Sequence, residues 1–563
     1  LAGVRFSHTQ RHTPVQADID RESFDVIVIG AGINGTGIAR DAAMRGLKVL
    51  LLDKGDIGSG TSSYSGRMIH GGLRYLEHGD IGLVRESLRE RANLLRIAPH
   101  LVKPQPLFIP FYQSNKHKPW QVKAGLTVLD LFAICSRSSL GVHKTLSRQS
   151  ALERMPGLNP DGLTGAGVMT DAYADYAERL CIENALSASR EGAGIITYAA
   201  VEDLMVEQGR VKGVHFRDVI GQRTYKVRAT VTVNVAGPWV DRVLQTGPKT
   251  ERLIGGTKGS FLVVDSFVDG PIDSCFFEAV ADQRQVVVLP WNGCYLLGTT
   301  DIRYDDDPDD AAAGQREVHY LLEETNRAFP RAKLTRDSIR FTYAGVRPLP
   351  YMPQGAEGSI TRKHIVYDHG PRVEGLISIV GGKFSTFRSL ARETVDCVLG
   401  KLSSSASRRP GSGCRTDAMV LPGGSEDFPS FCAQFGKEAG IPEKSRERLL
   451  RVYGTRSAEI LTLVKDTGDE LKQPLDPNTG AIGAEILFAF RHEFAETLVD
   501  VLLRRTMVGY ESAFDPIGVE NAVRVARKYL AWSDERVEEE QASYRDYIRR
   551  FHPRAGEGKA WLG

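Results

Sequence analysis

The chain has no uninterrupted apolar stretch approaching the ~18 residues of a bilayer span. The nearest candidate, around Ala124 to Ile134, is short and carries Asp130. Any membrane contact is therefore expected to be peripheral. An excess of one charge is equally lacking: 72 Lys and Arg against 70 Asp and Glu leave a net +2, which gives no reason to invoke nucleic acid. The seven cysteines are scattered and form no CxxC pair, which argues against a disulfide framework or an iron–sulfur site and favours reduced thiols in an intracellular compartment. Residues 1 to 20 are polar and lack the apolar core of a secretory signal, although a targeting remnant stays open. The acidic run DDDPDD at 305–310 lacks the spaced ligands, central glycine and later glutamate of a calcium loop; it reads as a solvated turn, and no metal is expected.

What is present is ordinarily globular, with 42% hydrophobic and 25% charged residues, and 563 residues call for at least two domains. The stretch from Phe24 to Asp53 organises the rest. An apolar run rich in β-branched residues, Val26 to Ile29, fits a strand buried on both faces of a parallel sheet. Gly30, Gly32 and Gly35 follow in GxGxxG spacing: the first allows the tight turn, the second the approach of a pyrophosphate, the third close packing of a helix on the strand. Thr36 to Arg45 is predicted helical, Gly46 ends the helix, and Lys48 to Leu52 forms the next strand. Asp53 closes that strand where a carboxylate can accept from a ribose diol. A glycine-rich turn in an ordinary α/β unit does not explain why all four residues fall where a dinucleotide needs them.

Past Asp53, residues 55 to 80 hold too many Gly and Ser for a regular element yet carry Arg67, His70, Arg74 and Tyr75; Thr61, Ser62 and Ser63 offer hydroxyls to a pyrophosphate. Ile81 to Ala98 is predicted to be an amphipathic helix, and the prolines at 99, 104, 106 and 110 an extended connection. Residues 117 to 134 read as a buried helix, with a membrane-facing one as the alternative. Asp171 is a candidate N-cap for the helix that follows it. Segments 209–217 and 223–235 suggest a hairpin leading back to the nucleotide unit; its end at Ala236, Gly237 and Pro238 can bring backbone beside a cofactor, while Trp239 either covers it or is core. Arg347 lies in a mostly apolar segment and needs a partner. Arg362 follows, and near 376 a strand, Gly381, Gly382, Lys383 and a helix recur; a lysine there would stabilise an anionic reduced flavin, whereas each of these three cations taken alone could be surface charge. His492 is assigned a structural place in the helical C-terminal region.

Several long motifs in order, VIGAGINGTGIARDAAMRG, GTSSYSGRMIHGGLRYLE, NVAGPWV, GTTD, TYAGVRPL, GGKFSTFR, YGTRSAEIL and FRHEFAETLVDVLLRRT, resemble the FAD-dependent glycerol-3-phosphate dehydrogenases of the aerobic, respiratory class over residues 22 to 520. The fold class then expected is α/β, an FAD-binding Rossmann-like domain interleaved with a mixed-sheet substrate domain, plus a C-terminal helical domain. The expected partition is a polar tail (1–21), a first segment of the cofactor domain (22–110), the substrate domain with returning cofactor segments (111–230), a cofactor segment (231–257), a substrate-binding sheet (258–370), a closing cofactor segment (371–400), a linker (401–419) and a helical domain (420–550).

The resemblance implies that Gly30, Gly32, Gly35 and Asp53 hold the ADP moiety of FAD, with Thr61, Ser62, Gly237, Gly382 and Lys383 also at the cofactor. It implies that Arg74, Arg347 and Arg362 bind substrate, their planar forks suiting phosphate, and that Arg347 and Lys383 act at the reacting face. The implied reaction takes the hydroxyl proton and the carbon-bound hydrogen from carbon 2 of sn-glycerol 3-phosphate, the latter as hydride to FAD, and sends electrons to membrane quinone. The alternatives are a glycerol-3-phosphate oxidase that uses oxygen, or an FAD oxidoreductase of another small substrate. One departure concerns the base: the family usually carries a histidine where this chain has Phe261, and His70 is the replacement candidate. The family further implies a homodimer attached peripherally to the cytoplasmic side of the inner membrane, a mitochondrial surface being the alternative.

Overall fold

The computed structural model describes residues 19–76, 79–136, 138–248, 250–355, 357–403 and 413–553, and every count refers to these. Almost all of the expected polar tail and the middle of the expected linker lie outside the described residues.

Strand β1 (Ser23–Ile29) pairs in parallel with β2 (Val49–Leu52) on one side and with strand Arg223–Asn234 on the other. Val26, Ile27 and Val28 are fully buried. Val26 and Val28 join one apolar cluster and Ile27 and Ile29 another, as the two-residue side-chain period of a strand covered on both faces requires. Strands Gly194–Ile196 and Leu376–Val380 extend this eight-stranded sheet. The register sets Ile29 opposite both Leu52 and Asn234, so three parallel strands end at one level and open a crevice beyond their carboxyl ends.

The helix after β1, α1 (Ile33–Met44), begins three residues before its predicted start because its first turn contains Gly35. It packs on helices Ala177–Arg190 and Phe387–Ser403, which bury nearly all of it. The segments at 209 and 223 form the expected hairpin, strands Arg210–Asp218 and Arg223–Asn234.

A second, ten-stranded mixed sheet carries strand Thr257–Asp265 near one edge, paired with Cys294–Gly298, Ile302–Arg303 and Ile339–Arg347. The proline-rich segment lies in it as strand Val102–Tyr112, paired along its length with Leu163–Ala174. Pro104, Pro106 and Pro110 share one parity, so their missing N–H groups face one side, where strand Ser274–Glu278 pairs only at Leu107 and Phe108. Asp171 belongs to strand Leu163–Ala174 and is no helix cap: it accepts from the Gly71 amide at 2.8 Å and pairs with Arg91 at 2.9 Å, pinning the His70–Gly72 turn.

Helix Pro119–Cys135 overturns the expectation of burial. It is apolar nearly all round, but only Leu126, Leu129 and Ala133 are buried, with Val122 and Phe132 packed partly buried beside them; Trp120 is 69% exposed, Leu131 61% and Ile134 53%. From Phe428 to Phe551 the chain is mainly helical, its α-helices running from Phe428–Glu438 to Asp534–Ile548. Buried ion pairs tie this region to the nucleotide sheet: Arg179 grips Glu493 with two bonds of 2.6 and 2.8 Å, and Asp56, on the loop after β2, accepts from Arg504 at 2.5 Å and from Arg505 at 2.8 Å. Burial works to raise the Glu493 pKa, but Arg179 and Arg456 outweigh it and hold it at about 2. His492 packs at a tilt beside Phe488 in the same region, ring centroids 5.0 Å apart.

Candidate active site

A cavity of about 1360 Å³ opens from the strand-end crevice. Its cradle is backbone. Gly30 has φ +111°, and a Cβ there would lie 2.7 Å from the Val235 carbonyl; a Cβ on Gly35 would lie 1.8 Å from the Gly30 carbonyl. Gly32 differs, because a Cβ there would meet nothing nearer than Ser62 Oγ at 3.2 Å. Protein packing therefore asks little of Gly32, whose bare face looks into the cavity, as close approach of a ligand requires. The first turn of α1 carries no acid, leaving its positive end to an anion. Ser62 Oγ accepts from the Ile33 amide at 3.0 Å, and Asp53 accepts from the Ala31 and Gly55 amides at 2.6 and 2.8 Å, so loop, turn and strand end are locked together. Burial pushes the Asp53 carboxyl pKa up.

Gly237 (φ +59°) and Gly382 (φ +98°), both lining the cavity, use left-handed backbone. Trp239 lines the cavity beside Gly60, with Lys54 Nζ 4.3 Å from its ring centroid. The acidic run is more than a solvated turn: Asp309 pairs with Lys54 at 2.5 Å and accepts from Trp239 Nε1 at 3.2 Å, while Asp307 pairs with Arg242 at 2.8 Å.

Lys383 lines the cavity, whereas Arg347 and Arg362 meet at Asp301 outside its lining, Arg347 being next in sequence to the lining residue Pro348. Thr61 lines the cavity and donates to the Val346 carbonyl at 2.7 Å, fastening the cofactor loop to the strand that ends in Arg347. Gly345 lets that strand close on Tyr64, since a Cβ there would lie 2.8 Å from Tyr64 Cβ. Arg347 donates to Asp301 and to Thr299 Oγ1, each at 3.0 Å, and Arg362 pairs with the second Asp301 oxygen at 2.7 Å. Asp301 lies within the GTTD motif, yet sequence reasoning misses it; an acid next to two threonines gives no sign of its partners until the sheet brings Arg347 and Arg362 to it.

Lys383 lines the cavity, and its buried Nζ has no hydrogen-bond partner among the described residues; it lies 3.9 Å from the Tyr75 ring centroid. Burial lowers its pKa to about 7, and the charge of Arg362 adds to the depression. His70 stands behind Tyr75, its Nε2 3.3 Å from the Tyr75 hydroxyl, and is not among the cavity-lining residues. Arg74 belongs to the same short helix as Tyr75, Leu73–Leu76, but its side chain lies outside the described residues. Phe261 is 4% exposed, 5.2 Å from the Tyr343 ring, and so close over Gly298 that a Cβ there would lie 2.1 Å from it. It is a packed wedge with no acid–base capacity.

The cradle, the helix terminus and the orphaned lysine fit a flavin dinucleotide, and comparison with known proteins agrees. Residues 25–387 match the family of FAD dependent oxidoreductases, and residues 414–537 match the C-terminal domain of alpha-glycerophosphate oxidase. A glycerol-3-phosphate dehydrogenase of Synechocystis sp. is 40% identical over 548 residues, 94% of this chain and 97% of that protein. The aerobic glycerol-3-phosphate dehydrogenase of Bacillus subtilis is 32% identical over 510 residues, 89% of this chain and 90% of that one. The crystal structure of the glycerol-3-phosphate dehydrogenase from Bacillus halodurans, complexed with FAD, superposes with a TM-score of 0.78 at 26% identity, covering 98% of this chain and all of the other. With its cradle, its two sheets and its helical C-terminal region accounted for, the chain belongs to the FAD-dependent glycerol-3-phosphate dehydrogenase/oxidase family and is an FAD-binding oxidoreductase of a small substrate.

Proposed function

We propose that the protein oxidises sn-glycerol 3-phosphate to dihydroxyacetone phosphate and passes the electrons to quinone at the cytoplasmic face of the inner membrane. The observations that carry this reading are two arginines joined through one carboxylate, the first of them next in sequence to Pro348 of the cavity wall, and a buried lysine lining the cavity whose Nζ has no hydrogen-bond partner among the described residues. FAD, when bound, supplies the acceptor for the carbon-bound hydrogen. Arg347 and Arg362, with Arg74, bind the phosphate and orient carbon 2. Lys383, with its pKa near 7, is substantially neutral at physiological pH, and its Nζ takes the hydroxyl proton. His70 acts at one remove, fixing the Tyr75 ring against Lys383.

The test is the anaerobic visible spectrum. sn-Glycerol 3-phosphate is expected to bleach the oxidised-flavin band near ~450 nm, whereas glycerol, which lacks the phosphate, leaves it intact; an unbleached band with the phosphate present sinks the assignment. A second reading, oxidase activity, has one observation in its favour, the match of residues 414–537 to an oxidase domain. Rapid peroxide release without quinone would decide for it.

Among the described residues no helix is long and apolar enough to cross a membrane. Attachment is instead proposed through helix Pro119–Cys135, whose exposed Trp120, Val128, Leu131 and Ile134 would lie in the lipid interface with Lys116, Lys118 and Lys123 nearby. Vesicles containing phosphatidylglycerol should sediment the protein, and Trp120→Asp with Leu131→Asp should abolish that. Assembly as a homodimer belongs to the same reading and is checked by sedimentation velocity.

A further inference from the structure

We propose that Asp301 is a positioning residue that makes one phosphate clamp out of Arg347 and Arg362; this rests on the substrate reading above. Two guanidinium groups set side by side repel each other and splay. Asp301 stands between them and gives one carboxylate oxygen to each, Oδ1 to Arg347 at 3.0 Å and Oδ2 to Arg362 at 2.7 Å. Its side chain is 9% exposed, against 25% for Arg347 and 16% for Arg362, so the carboxylate is the most enclosed of the three groups.

The surroundings hold the bridge. Strand Thr257–Asp265 pairs Thr257 with Arg347 and Lys258 with Ile302, which sets Asp301, next to Ile302, beside the end of the Arg347 strand. Arg347 is further tied by Thr299 Oγ1 at 3.0 Å and the Thr300 carbonyl at 3.1 Å. Thr300 is itself fixed, donating to the buried Glu317 at 2.6 Å. Burial would raise the Asp301 pKa, but Arg347 and Arg362 outweigh it and keep the carboxylate charged. Two cations and one anion leave one net positive charge. The bridge thus sets how far apart the forks stand and how much charge they present, and a compact dianion such as a phosphate monoester needs both fixed.

Asp301→Asn keeps the shape and removes the charge, so one guanidinium loses its anionic partner. The expected result is a rise of about tenfold in KM for sn-glycerol 3-phosphate and in the inhibition constant of inorganic phosphate, the size of one charge-assisted hydrogen bond. Bound flavin should be unchanged and kcat should move far less than KM. A merely structural role would lower kcat, bound flavin and thermal stability together; that result, or an unchanged KM, overturns the proposal. Failure of the substrate reading looks different, since wild-type flavin would then not bleach at all. In that case thermal stabilisation by inorganic phosphate replaces KM: stabilisation of the wild type and not of Asp301→Asn supports the clamp, and equal stabilisation overturns it.

Discussion

The cradle at Gly30–Gly35 and the charged group of Arg347, Asp301, Arg362 and Lys383 are built from different material. The cradle is continuous in sequence and excludes side chains: a methyl group at Gly35 has no room at 1.8 Å from a carbonyl oxygen. The cluster is assembled from segments as far apart as Asp301 and Lys383, and it works through charges held at fixed distances. A backbone site fails when anything is added to it, whereas a charge site fails when a partner is removed.

Gly35→Ala should therefore have the most far-reaching effect, because it removes the cofactor itself. Overpacking costs about 1–3 kcal/mol where the neighbour can shift, and here the neighbour is backbone. Flavin content of the purified protein should fall about tenfold or more, read by the absorbance ratio of flavin to protein. A variant that keeps its flavin would show that the cradle tolerates side chains after all. Lys383→Met should do the opposite, retaining FAD while slowing anaerobic flavin reduction by about 10²-fold or more, the range for loss of a general base. Normal reduction would remove Lys383 from the proton transfer and return the question to His70, which His70→Gln would then answer.

That contrast also explains what can be read from the sequence. The cradle is local: strand, glycines, helix and acid follow one another within about 30 residues, so spacing alone places Gly30, Gly32, Gly35 and Asp53. The start of α1 escapes such reasoning because glycine reads as a helix breaker, while Gly35 is helical here for a packing reason that lies in the position of a carbonyl. The cluster is non-local. Arg347, Arg362 and Lys383 are visible as lone cations, but their partner Asp301 shows itself only through the pairing of strand Thr257–Asp265 with its neighbours. Helix Pro119–Cys135 misleads because apolar composition says nothing about what covers it, and Asp171 because a strand and a cap are alike acceptable to a lone acid.

Phe261→His sharpens the same contrast with a smaller effect. The position faces Gly298 and Tyr343 across paired strands, and its ring is packed on both sides. A histidine ring fits the space, so the fold and the flavin content should hold. The flavin reduction rate is expected to change by only about threefold, with an added ionisation near the ordinary histidine pKa of about 6.5 in its pH profile. A large gain in rate would mean that the wedge, and not Lys383, limits this chain.

The smallest expected effect is on stability, and its sign follows from the depressed lysine. The pKa of Lys383 falls from 10.5 to about 7 in the folded protein, with burial as the main cause. Between those values the unfolded chain binds the extra proton and the folded one does not, so stability rises with pH across that window. Below about pH 7 both states carry the proton and the full penalty of a buried charge is present. Lys383→Met removes the penalty. In flavin-free protein it should melt above the wild type at about pH 6, and the gap should shrink as pH rises from about 7 toward 10.5. For a chain of this size the largest gap should be only a few degrees. A gap that is flat with pH would mean that Lys383 stays protonated throughout and finds an anionic partner when the protein is in solution, and it would then join Arg347 and Arg362 as a purely electrostatic member of the site.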